Sequence, residues 1–249
     1  MKKNMLLAWV AGLAAGLGLS MPAAASDYAR EKKWADEVVP GLVVGDPVYL
    51  QTPRGHHQFL TLFTPVEGTD KAAIVVHGLG IHPDWGMVGT LRTDLADRGF
   101  ATLSIQMPIL AADARGEHYP PTFPEAAERI GEAVAYLIGK GYRQIAIVSH
   151  SMGSRMSLVY LSGKPDPAVK AWASLGIPVG DYQALKLPVL DLYGDNDLPP
   201  VLANAATRKQ SLTAAGSKQV AVARADHFFT GREADMVAAV TDFLNATLK

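Results

Sequence analysis

The residues Ser149-His150-Ser151-Met152-Gly153 follow the apolar run Ile145-Ala146-Ile147-Val148 and lead into a segment of helical pattern. A serine lifted onto a sharp turn between a buried strand and a helix is how a weak hydroxyl nucleophile is presented for acyl transfer. So tight a turn demands small residues two before and two after the serine. Gly153 meets the second demand, and Ser149 meets the first with the smallest polar side chain. Serine also caps helices in a purely structural role, but the position of Ser151 directly after a buried strand favours the nucleophile. His150 reads as structural, because neighbouring side chains on a sharp turn diverge and share a proton poorly.

A hydroxyl nucleophile needs a base, a group to orient that base, and donors for the oxygen that turns negative in the tetrahedral intermediate. The donors fit His77-Gly78-Leu79-Gly80, at the end of the run Ala72-Ala73-Ile74-Val75-Val76. The backbone N–H groups of Leu79 and of Met152, one residue past Ser151, form the expected oxyanion hole, each contributing about 10²- to 10³-fold in rate. A dinucleotide loop is the competing reading of Gly78-x-Gly80. It fails because Pro83 stands where the third glycine belongs and the next strand ends in Gln106 rather than an acid. The orienting acid falls in Gly194-Asp195-Asn196-Asp197, with Asp197 the choice and Asp195 the reserve; the base is His227, in Asp226-His227-Phe228-Phe229. Their chain order, Ser then Asp then His, is that of one known arrangement of such triads. The remaining histidines, His56, His57, His77, His82, His118 and His150, show no metal-ligand spacing, so neither metal nor cofactor is expected.

These groups need a scaffold that gathers them at one edge. Two extended runs, Asp46 to Thr52 and His57 to Thr64, flank Pro53-Arg54-Gly55 and read as a β-hairpin, after a polar stretch from Asp27 to Glu37. From Lys71 onward the strand candidates no longer alternate polar with apolar and read as covered on both faces. They are Ala72 to Val76, Ala101 to Gln106, Gln144 to Ser149, Ala168 to Ser174, Val189 to Tyr193 and Gln219 to Ala223. Between the second and third, Pro124 to Lys140 places Ala126, Ile130, Ala133, Val134, Leu137 and Ile138 on one helical face. Thr90 to Arg98, Met152 to Leu161, Val201 to Ala214 and Glu233 to Leu248 supply the other helices. The expected class is α/β, a mostly parallel sheet with an N-terminal antiparallel hairpin and helices on both faces. In such sheets reactive groups gather beyond the carboxyl ends of the strands, where all the candidates lie.

The first residues have another role. Lys2 and Lys3, an apolar run from Met5 to Leu19 and Ala23-Ala24-Ala25 read as a secretory signal peptide, residues 1–25, cleaved after Ala25. That leaves residues 26–249 as one expected domain, with no stable membrane insertion and a periplasmic or secreted destination. The chain has no cysteine, which excludes a disulfide framework and a thiol nucleophile. A formal charge of −1, or −3 without the two leader lysines, argues for no nucleic-acid partner. The oligomeric state stays open.

On Ser-His-Ser-Met-Gly, His-Gly-Leu-Gly, Gly-Asp-Asn-Asp and Asp-His-Phe-Phe, the chain resembles the α/β-hydrolase superfamily from about Val48 to Leu248. More narrowly, Val76 to Trp85, Leu91-Arg92 and Ala101 to Pro108 resemble a bacterial family of exported hydrolase-like domains of unassigned function. The resemblance implies esterase, thioesterase, peptidase or C–C hydrolase chemistry on a small-molecule substrate, with Ser151, Asp197 and His227 as the triad. Only Gly176 to Lys186 separate two strands where related enzymes insert lids, too few residues for a helical cap. The expected site is therefore open, walled by His82 to Met87 and Pro108 to Phe123, where Trp85, Tyr119 and Phe123 offer apolar surface. An exported serine carboxylesterase is the favoured reading. A hydrolase-like envelope binding protein without turnover is its rival from another class.

Overall fold

The computed structural model describes residues 26–249; the expected leader and its cleavage point after Ala25 lie outside the described residues. Eight strands form one sheet: β1 (Asp46–Gln51), β2 (Gln58–Thr64), β3 (Lys71–Val76), β4 (Ala101–Ile105), β5 (Gln144–His150), β6 (Val169–Leu175), β7 (Val189–Gly194) and β8 (Lys218–Val222). Their spatial order is β1-β2-β4-β3-β5-β6-β7-β8. The β1–β2 and β2–β4 pairings are antiparallel and the rest parallel.

Alternate residues of each central strand serve two different cores, which is why these runs are apolar without a break. Ala72, Ile74 and Val76 of β3 face one core with helices α3 (Phe123–Gly139) and α4 (Met152–Ser162). Ala73 and Val75 face the other, with α2 (Gly86–Asp97) and α7 (Glu233–Thr247). Helix α3 buries Ala126, Ile130, Ala133, Val134 and Leu137 in the first core; each large aliphatic side chain stabilises the fold by roughly 1.5–3 kcal/mol.

Three local expectations are corrected. The polar stretch after the leader is helix α1 (Tyr28–Val38), N-capped by the Asp27 carboxylate, which accepts the Arg30 N–H at 3.0 Å. It shows no apolar stripe because its buried face carries Glu31, paired with both Nη atoms of the fully buried Arg129 at 2.9 and 3.1 Å. Helix α2 begins at Gly86, ahead of the apolar pattern. The segment 201–214 is two short helices, α5 (Pro199–Ala203) and α6 (Ala205–Gln210), because the Asn204 side-chain amide donates to the carbonyls of Pro178 and Pro200 and breaks the run.

Candidate active site

Strand β5 ends at His150, and Ser151 takes φ +54° and ψ −116°, a conformation that costs a residue with a β-carbon about 1–3 kcal/mol. The strain is held from both sides. The Ser151 N–H donates to the Leu175 carbonyl at 2.8 Å, and the Ser151 carbonyl accepts from the N–H groups of Ser154 and Arg155 in the first turn of α4. A β-carbon on Gly153 would lie 2.3 Å from the His77 carbonyl oxygen, so this position must be glycine. Ser149 is more than a small spacer: its hydroxyl accepts the buried Trp172 indole N–H at 2.7 Å.

The structure brings Ser151, His227 and Asp197 together across three loops. Ser151 Oγ lies 2.9 Å from His227 Nε2, and His227 Nδ1 lies 2.6 Å from Asp197 Oδ1. Asp197 Oδ1 also accepts the Leu198 N–H at 2.7 Å, and its Oδ2 accepts the Gly194 N–H at 3.4 Å. With the carboxylate fixed as an acceptor, His227 Nδ1 carries the proton and Nε2 is free to accept from the serine. Asp195 faces elsewhere, accepting the Arg224 N–H at 2.6 Å and thereby tethering the loop that carries His227. Gly176, at φ +57°, lies so close under the imidazole that a β-carbon there would be 3.1 Å from His227 Cε1.

The loop after β3 lies against this centre. A β-carbon on Gly78 would fall 3.2 Å from Ser151 Cβ. Among the described residues, the N–H groups of Leu79 and Met152 have no protein acceptor. The orientation of the Leu79 N–H follows from His77, which is wholly buried. Its Nε2 accepts the Met107 N–H at 2.9 Å, so the ring proton sits on Nδ1, which donates to the Gly78 carbonyl at 2.8 Å. Gly78 C=O and Leu79 N–H belong to one trans peptide and point in opposite directions; pulling the carbonyl toward His77 turns the N–H away from it. Burial pushes the His77 pKa down to about 3, which keeps this tautomer neutral.

His150 bridges the serine turn and the histidine loop. Its Nε2–H donates to the His227 carbonyl at 2.9 Å, and its ring centroid lies 4.7 Å from that of His227. Burial, and then the neighbouring His227 charge, push its pKa down to about 4. Neither His77 nor His150 announces these contacts in the sequence, because their partners are backbone groups, which carry no side-chain signature, and those of Met107 and His227 lie 30 and 77 residues away.

The three proposed wall residues part company. Trp85 is half-buried, with its ring 5.2 Å from that of Phe228, which packs on His227. Phe123 is half-buried beneath the Arg155 guanidinium, 5.3 Å from ring centroid to Cζ. Tyr119 is a correction: it is 1% exposed, lies in the core, and its hydroxyl accepts the Leu110 N–H, so its ring is scaffold and not wall. A cavity of about 580 Å³ lies away from the triad, between α1 and the β1–β2 hairpin, lined by Tyr28, Glu31, Asp36, Tyr49 and His57 among others. Its most buried polar groups, Glu31 and His57, are already engaged with Arg129 and each other.

Residues 50–127 match the family described as "Protein of unknown function (DUF3530)", a stretch that holds the His77 to Gly80 loop and ends before Ser151. No curated protein matches the chain. Among solved structures, dienelactone hydrolase from Anabaena variabilis is similar at 21% identity and a TM-score of 0.69, over 82% of this chain and 99% of that one. A serine hydrolase without lid from Xanthomonas campestris shares 15% identity at a TM-score of 0.64, over 82% and 95%. The esterase domain of a Rhodothermus marinus protein shares 16% at 0.63, over 82% and 99%.

Proposed function

Since the chain has the α/β-hydrolase fold, we propose that it is an exported serine hydrolase that cleaves carboxylic esters through an acyl-enzyme on Ser151. The observation that carries this reading is the relay of 2.9 Å from Ser151 Oγ to His227 Nε2 and 2.6 Å from His227 Nδ1 to Asp197 Oδ1. Ser151 Oγ attacks the ester carbonyl carbon as His227 Nε2 takes its proton, and the carbonyl oxygen becomes an anion facing the N–H groups of Leu79 and Met152. Collapse expels the alcohol, which leaves with the proton from His227. Water repeats the sequence, giving its proton to His227 and its oxygen to the acyl carbon, and Ser151 is released. Asp197 holds the tautomer and stabilises the imidazolium.

The strain at Ser151 also supports catalysis over simple binding, since sparsely populated backbone of this kind clusters at reactive sites. Export rests on residues 1–25, and no helix among the described residues is long and apolar enough to cross a membrane. The test is covalent labelling of the mature protein with a fluorophosphonate, alongside hydrolysis of 4-nitrophenyl acetate. Wild type should label and turn over, and Ser151→Ala should do neither while keeping its fold. A wild type that neither labels nor turns over refutes the reading and leaves a binding protein in its place, and a Ser151→Ala variant that still turns over refutes Ser151 as the nucleophile.

A further inference from the structure

We propose that Arg155 is an anion-recognition residue of this site, so that the natural ester carries a carboxylate or phosphate group besides its scissile carbonyl. This rests on the serine-hydrolase reading above. Arg155 stands four residues past Ser151, one turn into α4, and its N–H donates to the Ser151 carbonyl. Helical side chains lean toward the N-terminus of their helix, which here is the end that carries the nucleophile. The contacts agree: Arg155 Nη1 lies 3.7 Å from the Met152 sulfur, and the guanidinium sits over the Phe123 ring.

Met152, buried at 6% exposure, lies directly beneath the loop of Gly116. Its Cε would lie 3.3 Å from a β-carbon on Gly116, and Leu79 Cδ1 would lie 3.7 Å from the same point. Leu79, Gly116, Arg155 and Phe123 therefore form one continuous surface, floored by Met152, beside the oxyanion donors. Leu79 is 38% exposed.

Within that surface Arg155 is half-buried and its guanidinium reaches no oxygen. Every other arginine of the described residues, except the exposed Arg224, donates to a carboxylate or carbonyl oxygen. A planar fork of donors held by a thioether and an aromatic face is ordered without being neutralised, and it suits a carboxylate or phosphate. The opposite flank, around the Asp197 and His227 loops, presents exposed apolar surface at Val179, Leu198, Leu202 and Phe228. An ester with an anionic end and an apolar end matches this division.

The test compares two substrate pairs that differ only in one charge. Mono-4-nitrophenyl glutarate against its methyl ester places the anion on the acyl side; 4-acetoxybenzoate against its methyl ester places it on the leaving group. The readout is the ratio of kcat/KM, anionic over neutral, in wild type, Arg155→Met and Arg155→Lys. Wild type should favour the anion by about tenfold to a hundredfold in one pair, the range of a charge-assisted hydrogen bond. Arg155→Met should bring that ratio close to one through KM, and Arg155→Lys should keep part of it. A wild-type ratio near one in both pairs, or a preference that survives Arg155→Met, overturns the inference. If the neutral esters are hydrolysed and Ser151 is labelled, that failure touches Arg155 alone. If neither occurs, the serine-hydrolase reading falls first.

Discussion

Replacing His77 tests the oxyanion hole without touching the triad. The side chain makes three polar contacts: Nδ1–H donates to the Gly78 carbonyl at 2.8 Å, and Nε2 faces the Met107 N–H at 2.9 Å and Gln106 Nε2 at 3.0 Å. In His77→Ala the Gly78 carbonyl is released, the peptide can rotate, and the Leu79 N–H leaves the developing oxyanion. Loss of one such donor costs about 10²- to 10³-fold in kcat, or about 2.7–4 kcal/mol, with KM little changed. Gln106 keeps its bond to the Met107 carbonyl, so the orphaned buried groups are Gly78 C=O and Met107 N–H. At about 1–3 kcal/mol each they lower stability by roughly 2–6 kcal/mol, a large part of a typical 5–15 kcal/mol. Kinetics on 4-nitrophenyl acetate should therefore be run well below the variant's own Tm, measured in parallel. His77→Asn separates the two effects: its amide N–H can reach the Gly78 carbonyl while Met107 stays unmet. The Asn variant should hold kcat within about tenfold of wild type yet unfold at a reduced temperature. A folded His77→Ala with wild-type kcat, or a defect confined to KM, would refute the peptide-orientation argument.

Three other outcomes follow from the same geometry. Asp197→Asn should lower kcat by about 10⁴, the usual effect of losing the tautomer-fixing carboxylate, whereas Asp195→Asn, whose amide oxygen still accepts the Arg224 N–H, should cost less than about tenfold; equal losses in steady-state assays would mean that the acid is misassigned. Gly153→Ala should fail to yield a native thermal transition, because its β-carbon would meet the His77 and Val76 carbonyls at 2.3 and 2.9 Å; a well-folded variant would show the turn looser than described. For pH, the folded-state pKa values of His77 and His150, about 3 and about 4, lie below the unfolded value. Between about pH 6 and 4 the unfolded chain thus binds two more protons, and stability should fall with acid by about 2.7 kcal/mol per pH unit. Urea titrations across that window check this, and His150→Gln should halve the slope.

The sheet was legible because burial on both faces writes itself as unbroken apolar runs, and β3, β4 and β5 fall within two residues of where those runs place them. The hairpin was legible from Pro53-Arg54-Gly55 between extended segments. Helix α1 was not, since Glu31 occupies the position where a pattern reading needs an apolar residue, and its partner Arg129 lies 98 residues away. Tyr119 was misread for a related reason: a tyrosine in a Pro- and Gly-rich loop gives no sign that its hydroxyl will find the Leu110 N–H. Among the site residues, the sequence offers two aspartates in one turn, Asp197 preferred for its loop position and Asp195 in reserve. Only the fold separates them, by placing Asp197 against the His227 ring and Asp195 against the Arg224 backbone.

The three histidines around Ser151 differ by environment alone. His77 and His150 are sealed from solvent and tied to backbone, so each is held neutral with one ring N–H donating to a backbone carbonyl. His227 has one ring nitrogen against a carboxylate and the other against the serine hydroxyl, so it alone has a partner for each protonation state of the proposed cycle. Had His150 been solvated and charged, its ring 4.7 Å from His227 would oppose formation of the imidazolium that the mechanism requires. Burial of His150, at a cost in acid stability, is thus what leaves His227 free to carry the proton of the proposed cycle.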